Sequence, residues 1–233
     1  MTIFKYALLR GIRTPLSLIV IVLLPIAILL IPPIWNPMFE GGPVMAFGLF
    51  YMVAMSGAYI MSQSILTDQA DGAIHRILVA PVTMRRYLLE NLLSCMVPMV
   101  IQWALVAIVG GVIHDWNFTL ALAVFIGYTI LTLASVAMAF AMHCLLKSKE
   151  GSTMGFGIII MPMVMLSGLF FPVEAFPGPL EYAGALFPVY WAVQAMNYVF
   201  DYGTMGGTFW VGMGAMVLFA IAFLLYGGKR RII

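Results

Sequence analysis

The chain has 233 residues, of which 64% are hydrophobic and 9% are charged, and its mean hydropathy is +1.07. Because a soluble domain carries about a quarter charged residues, this composition excludes an ordinary soluble protein and makes lipid the main solvent. The net charge of +2 is too small to predict nucleic acid or an acidic substrate as a partner. Cys95 and Cys144 lie inside apolar runs without metal-ligand spacing, so we interpret both as small hydrophobic residues and predict no metal site.

Residues 2–14 are predicted to form a short amphipathic helix on the membrane surface, with a disordered basic leader as the alternative. The apolar face would hold Ile3, Phe4, Ala7 and Leu8, and the basic face Lys5, Arg10 and Arg13. The apolar run that follows, from Pro15 to Trp35, is longer than a signal-peptide core and has no small-x-small cleavage site after it. We therefore expect a retained membrane span there.

Six windows are long and apolar enough to cross a bilayer, since a helix of about 20 residues spans its ~30 Å core. They cover residues 15–35, 44–66, 88–113, 118–146, 152–171 and 207–227. A seventh apolar segment, residues 188–200, is too short to cross. The sequence therefore predicts an all-α membrane protein in which residues 1–233 form a single transmembrane domain of six spans.

All eleven basic residues fall on one side of these six spans. They precede the first span, or lie between the second and third, between the fourth and fifth, or after the sixth. The charged residues on the opposite side are all acidic: Glu40, Asp115, Glu174, Glu181 and Asp201. Because basic residues are retained in the cytoplasm, we predict a multi-pass protein of a bacterial-type plasma (inner) membrane with both termini in the cytoplasm.

Few ionisable groups lie within the predicted spans, which disfavours proton-driven transport and enzymatic chemistry. Glu90 and His143 lie near span ends, where we expect their side chains to reach the interface. Gln102 lies deeper and is expected to hydrogen-bond a neighbouring helix. His114 and Asp115 are adjacent in an outer turn, where a solvated polar loop is favoured over a catalytic pair. The sequence has no Gly-x-x-x-x-Gly-Lys, His-Glu-x-x-His or Gly-x-Ser-x-Gly motif, so any ATP would be bound by another subunit.

The loop between the second and third spans is predicted to contain a short cytosolic helix with an apolar face. A turn precedes the helix and a proline ends it. The residues concerned are Asp71 and Gly72 in the turn, Ile74, Arg76, Ile77 and Leu78 in the helix, and Pro81 after it. Such a helix either packs on its own bundle or docks in a groove of a cytosolic partner.

A segment after the fifth span is predicted to form a re-entrant helical hairpin on the outer side, over about residues 172–200. Pro172 is expected to break the fifth helix, and two apolar stretches follow that are too short to span. Backbone interrupted at membrane depth must be buried in protein or line a cavity. Its prolines and aromatic residues either anchor the interface or line an outer gate: Phe170, Phe171, Pro172, Phe176, Pro188, Tyr190 and Trp191.

These two segments resemble the membrane subunit of ABC transporters of the ABC-2 type, a family of export permeases. Residues 71–73, 76–78 and 81–83 are similar to the acidic-Gly-Thr turn, basic-Leu helix and Pro-Val-Ser step of that family. Residues 167–172 and 187–190 are similar to its Ser-Gly-aromatic-aromatic-Pro stretch and its Asn-Pro-Leu-Thr-Tyr-like step. Further similarity lies at the entry to the first span, in Arg13-Thr14-Pro15 and Leu24-Pro25. The chain departs from the pattern at Ala73, Glu90-Asn91 and Phe187.

The resemblance implies a short six-span permease, similar to type V exporters, that pairs with a second copy or a related permease and stands on two ABC ATPase subunits. The loop helix would be the coupling helix, and spans including the second and fifth would line the path. ATP and Mg would be bound by the partner ATPase, with no cofactor or catalytic site in this chain. A hydrophobic or amphipathic substrate is expected, such as a drug, peptide or lipid-like molecule. The alternative is an ATP-independent channel or secondary carrier.

Overall fold

The computed structural model of the chain is all-helical over the residues that it describes. These are residues 2–13, 15–31, 35, 42–70, 84–146, 148–169, 178 and 182–229. The helices in this part of the chain are α1 (Thr2–Arg13), α2 (residues 15–30), α3 (Gly42–Ala70), α4 (Met84–Ile113), α5 (Phe118–Leu146), α6 (Lys149–Met165), α7 (Pro188–Tyr202) and α8 (Gly207–Lys229). The same residues contain no strand, so the predicted all-α fold is confirmed.

Among the described residues, three helical stretches are long and apolar enough to cross a membrane: Leu89–Ile113 of α4, Phe118–Leu146, and Gly207–Gly227 of α8. Two apolar stretches are shorter, Ile19–Leu30 of α2 and Glu150–Met165 of α6. Helix α3 contains 29 residues, which at 1.5 Å per residue gives a length of about 43 Å. Long apolar helices are thus the main building elements, as the composition requires.

Helix α2 contains a wider turn because of a proline in its interior. Pro25 has no amide hydrogen, and its ring would clash with the carbonyl four residues earlier. The chain forms a π-helical turn at Ile19–Leu23, which opens the backbone just before the proline. The helix ends at Leu30, and Ile31 is extended (φ −87°, ψ 98°), as expected for a residue that precedes a proline. The helix is therefore shorter than the predicted window of residues 15–35.

Helix α6 ends at Met165, whereas the predicted fifth window extends to residue 171. Gly168 adopts a φ of 85°, a left-handed conformation that favours glycine and terminates helices. The hydroxyl of Ser167 donates to the carbonyl of Val164 at 2.7 Å, which satisfies one of the carbonyl groups left open at the helix end. The glycine turn, and not Pro172, ends this helix.

Helix α5 is the centre of the bundle and packs against α3, α4, α6, α7 and α8. Its residues 134–144 are all buried, as expected for a helix that is surrounded by protein. Small side chains allow the close packing, and Ala134 and Ala137 cluster with Ala220 of α8. The helix coincides with the predicted window, because the side chain of Asn117 caps its first turn by accepting the N–H of Leu120 at 2.7 Å.

Helices α3, α4, α5 and α6 alternate in direction, so the bundle has two ends. At one end, Gly227 of α8 lies beside Ala141 and Cys144 of α5. This end holds the last turns of α3, α5 and α8 and the first turns of α4 and α6, and we refer to it as the predicted cytoplasmic end. Nearer the opposite end, the hydroxyl of Tyr128 on α5 donates to the carbonyl of Phe47 on α3 at 2.8 Å.

Candidate functional site

Helix α1 is attached to the first turns of α4 at the predicted cytoplasmic end. Its Ala7 is buried, whereas Lys5 is exposed. The backbone N–H of Phe4 donates to Oε2 of Glu90 at 3.1 Å. Because the first amide groups of a helix lack intrahelical acceptors and carry partial positive charge, this carboxylate caps α1. The predicted N-terminal helix is confirmed as a helix, and Glu90 is the anchor that sequence reasoning missed.

The basic face predicted for α1 is described in part. Arg10 and Arg13 belong to the helix, and their side chains are outside the described residues. The placement of α1 on the cytoplasmic leaflet stays a prediction.

The predicted coupling segment connects two helices that pack against each other. Helix α3 runs to Ala70, α4 begins at Met84, and the two helices are in contact. Leu66 and Tyr87, near the two ends of the connection, are buried. The segment itself lies outside the described residues: Asp71, Gly72, Ile74, Arg76, Ile77, Leu78 and Pro81.

His143 is buried inside the bundle, near the same end. Its side chain is 0% exposed, and its ring contacts the hydroxyl groups of Ser62 on α3 and Ser152 on α6. The expectation that His143 reaches the interface is therefore wrong. Its position on α5 faces two helices rather than lipid or water, and both ring nitrogens are used between them.

Gln102 on α4 does not make the hydrogen bond that was expected of it. Its side chain is 3% exposed, and neither amide atom has a hydrogen-bond partner among the described residues. A hydrogen bond between α4 and α5 is made by the next residue, since Nε1 of Trp103 donates to Oγ1 of Thr132 at 2.9 Å. Successive residues on a helix are about 100° apart, so the face of Trp103 is not the face of Gln102.

His114, at the opposite end of the bundle, is a packing residue. Its ring is stacked on Trp35 with centroids 4.4 Å apart, and its Nε2–H donates to the carbonyl of Leu29 at 2.8 Å. Asp115 is exposed. A solvated loop is thus the correct interpretation for Asp115 and the wrong one for His114. The histidine connects the end of α2 to the turn between α4 and α5.

The segment that leads into α7 returns to the end of α6. A Cβ atom at Gly184 would clash with the backbone oxygen of Leu166, so only glycine allows this close approach. Pro188 is buried at the first turn of α7, where its missing amide hydrogen is tolerated. Nε1 of Trp191 donates to the carbonyl of Ala185 at 3.0 Å. These contacts hold the start of α7 inside the bundle.

The predicted outer gate is described only in part. The rings of Tyr190 and Trp191 meet edge to face, with centroids 5.5 Å apart, and both side chains are half-buried. Helix α7 also contacts α3, because the hydroxyl of Tyr51 donates to the carbonyl of Ala192 at 3.2 Å. The other predicted residues of this region lie outside the described residues: Phe170, Phe171, Pro172 and Phe176.

One face of α6 has no partner within the described part of the chain. Met154, Ile158 and Met161 are 71%, 73% and 62% exposed. A Cβ atom at Gly157 would meet nothing within 4 Å among the described residues. On the other side, Gly155 lies close to Leu146, where a Cβ atom would stand 2.5 Å from Cδ1. Gly157 therefore belongs to an open apolar face, whereas Gly155 is packed against Leu146 of α5.

A cavity of about 510 Å³ lies between α5, α6 and α8, beside the start of α7. Its volume is within the range of small-molecule sites, roughly 300–1,000 Å³. The lining is almost wholly apolar, and its larger side chains are Met138, Met142, Met163, Phe187, Phe223 and Tyr226. No three His, Cys, Asp or Glu side chains come together as metal ligands in the described ranges.

Comparison with known proteins identifies the family of the chain. None of the curated proteins matches it. A family model described as ABC-2 family transporter protein matches residues 38–228. The match covers α3 to α7 and all but the last residue of α8, which is most of the chain. The chain therefore belongs to the ABC-2 family of transporter proteins and is embedded in the membrane by its apolar helices.

Proposed function

We propose that the chain is the membrane-spanning permease subunit of an ATP-driven exporter. The family match over residues 38–228 carries this proposal, because ABC-2 permeases are membrane transport subunits that associate with an ABC ATPase. The lack of a phosphate-binding Gly-x-x-x-x-Gly-Lys sequence agrees with it. ATP and Mg are bound by the partner ATPase subunits, and this chain binds no cofactor.

The six spans of the proposed permease are α2, α3, α4, α5, α6 and α8. Each of these helices overlaps one of the six apolar windows. The eleven basic residues then all face the cytoplasm, together with both termini. Helix α7 and the segment before it form the re-entrant hairpin on the outer side. The return of Gly184 to Leu166 supports this arrangement.

Two permeases form the translocation path by pairing along α6 and the adjacent α3. The open face of α6 supports this, because Met154, Ile158 and Met161 form an apolar row beside the uncovered Gly157. A glycine in such a row lets two helices approach closely in the membrane. The partner is either a second copy of the chain or a related permease.

The exported substrate is hydrophobic or amphipathic. The cavity beneath the start of α7 supports this, because its size suits a small molecule and its lining is methionine-rich and apolar. Methionine side chains adapt to ligands of different shape. A drug, a hydrophobic peptide or a lipid-like molecule satisfies these requirements.

The test is purification of the chain with its ATPase subunit and reconstitution into liposomes. We expect ATP-dependent movement of at least one of three probes: a lipophilic dye, a fluorescent phospholipid or an amphipathic peptide. Transport should stop when the nucleotide site of the ATPase is disabled. Transport by the purified chain without ATPase would instead support a channel or secondary carrier.

The coupling role of residues 71–78 has its own test in the same system. Bulky substitutions at Gly72 or Arg76 should separate ATP hydrolysis from transport while the protein remains folded. Unchanged transport with bulky substitutions along the whole segment would exclude that role.

A further inference from the structure

The hydrogen bonds around His143 form a series that joins α6 to α3. Nδ1 of His143 lies 2.6 Å from Oγ of Ser152 on α6, and Nε2 lies 2.9 Å from Oγ of Ser62 on α3. All three side chains are buried. One imidazole on α5 therefore connects hydroxyl groups on two other helices.

The directions of these bonds follow from the single hydrogen that each hydroxyl carries. The hydroxyl of Ser62 donates to the carbonyl of Tyr59 at 2.7 Å, so towards the ring it can only accept. Nε2 of His143 must then carry the hydrogen, and in the neutral ring Nδ1 accepts from the hydroxyl of Ser152. Each group therefore donates to the next one: Ser152 to His143, His143 to Ser62, and Ser62 to the carbonyl of Tyr59 on α3.

An aromatic pair beside the imidazole joins the same two helices. Tyr59 on α3 stacks on Phe156 of α6 with centroids 4.2 Å apart, and its ring lies 5.5 Å from that of His143. The Tyr59 hydroxyl donates to Oγ1 of Thr153 at 2.9 Å. These links to α3 come from Ser152, Thr153 and Phe156, within the first turns of α6. The open face described above begins in the same turns, at Met154, on another side of the helix.

The position of this cluster relates it to the coupling segment. Ser62 precedes the end of α3 at Ala70 by eight residues, or about 12 Å along the helix, and the predicted coupling segment follows directly. Ser152 lies in the first turn of α6, and Met154 begins the open face of that helix. The cluster thus joins α3 to α6 near the predicted coupling segment.

We propose that His143 is a positioning residue that makes the start of α6 follow α3 during the transport cycle. This rests on the proposed function, in which the partner ATPase acts on the segment after α3. Within the membrane, a separated pair of polar groups finds no water to replace the lost hydrogen bond. The series Ser152–His143–Ser62 therefore resists separation of α6 from α3 more than apolar contacts of the same area would.

A fluorescence experiment on the complex with its ATPase tests the proposal without knowledge of the substrate. Glu150 is exposed in the first turn of α6, and Glu150→Cys would carry an environment-sensitive maleimide dye. The native Cys95 and Cys144 are buried, which limits their labelling. The readout is the emission change on addition of ATP with vanadate, measured beside ATP hydrolysis in the same samples.

In this labelled background, Ser62→Ala and Ser152→Ala should each reduce the emission change about threefold or more, the effect of one interhelical hydrogen bond, while ATP hydrolysis continues. Because the two bonds are in series, the double variant should lose no more than either single variant. Two independent structural effects would instead add. The matched control is Ser135→Ala on α5, a buried serine whose hydroxyl donates to the carbonyl of Leu131 in its own helix.

Full emission changes in both alanine variants would overturn the proposal, as would an equal loss in Ser135→Ala. If an alanine variant does not fold, the comparison of Ser152→Thr with Ser152→Val replaces it, since the two differ in the hydroxyl at similar volume. Threonine should retain the response and valine should lose it, and equal responses would overturn the proposal. A parent complex that neither hydrolyses ATP nor changes its emission on addition of ATP with vanadate would count against the proposed function itself. A normal parent with unaffected variants would overturn only the role of His143.

Discussion

The packing of α7 on α8 depends on a glycine, and this gives a prediction with a control in the same helix. A Cβ atom at Gly212 would stand 2.7 Å from the backbone oxygen of Trp191 and 2.9 Å from Cβ of Ala195. Neither atom can move by rotation of a side chain, so Gly212→Ala must displace α7 from α8. At Gly214, two residues along α8, a Cβ atom would meet nothing within 4 Å of the described atoms.

The expected magnitudes follow from two opposing contributions to the free energy of unfolding. Replacing a helical glycine by alanine stabilises a helix by about 1 kcal/mol, and this gain applies at both positions. Overpacking costs about 1–3 kcal/mol, and this cost applies only at Gly212. The two variants should therefore differ by about 1–3 kcal/mol in stability, with Gly214→Ala the more stable.

The assay is thermal unfolding of the purified variants in the same detergent, followed by tryptophan fluorescence. At about 2–4 °C per kcal/mol for a chain of this length, the unfolding midpoint of Gly212→Ala should lie roughly 2–12 °C below that of Gly214→Ala. Equal midpoints for the two variants would refute the close approach of α7 and α8.

Three further substitutions test contacts at other positions. Glu90→Ala removes the acceptor for the N–H of Phe4. Because a charged hydrogen bond contributes about 1.5 kcal/mol, the amides of α1 should then exchange with deuterium roughly tenfold faster. Unchanged exchange would show that Glu90 does not anchor α1. His114→Phe retains the stacking on Trp35 but loses the N–H donor, and it should lower stability by about 1 kcal/mol, with His114→Ala lower still; wild-type stability in both would contradict the contact. Gln102→Leu should raise the unfolding midpoint, because an unpartnered buried amide costs about 1–3 kcal/mol; a lower midpoint would show that the amide is partnered in the protein.

The sequence was most informative where a local signal sets the structure. Helix α5 begins and ends where predicted, because its apolar run is bounded by the polar Asn117 on one side and by Lys147 and Ser148 on the other. Helix α1 was predictable because its apolar and basic residues separate on the helical wheel. The end of α6 was not predictable in this way. Gly168 and Pro172 can both end a helix, and the sequence alone does not show which of them does so.

Contacts between the long helices could not be predicted in the same way. Lipid and protein interior are both apolar, so a membrane helix gives little indication of which face meets its neighbours. Gln102 was expected to bond across helices and does not, whereas Trp103 does. His143 was expected near the interface, but its partners Ser62 and Ser152 are distant in sequence, and only the fold brings them together.

The distribution of close contacts differs between the centre of the bundle and helix α6. Residues 134–144 of α5 are all buried, and α7 packs closely on α8 at Gly212. Helix α6 is short, ends at the turn of Gly168, and leaves the face of Ile158 open. Its polar links to α3 are concentrated in its first turns, around His143. In the proposed permease, a movement that enters from α3 would therefore reach the start of α6 through His143 of α5, and the path between two copies would change along the open face of α6.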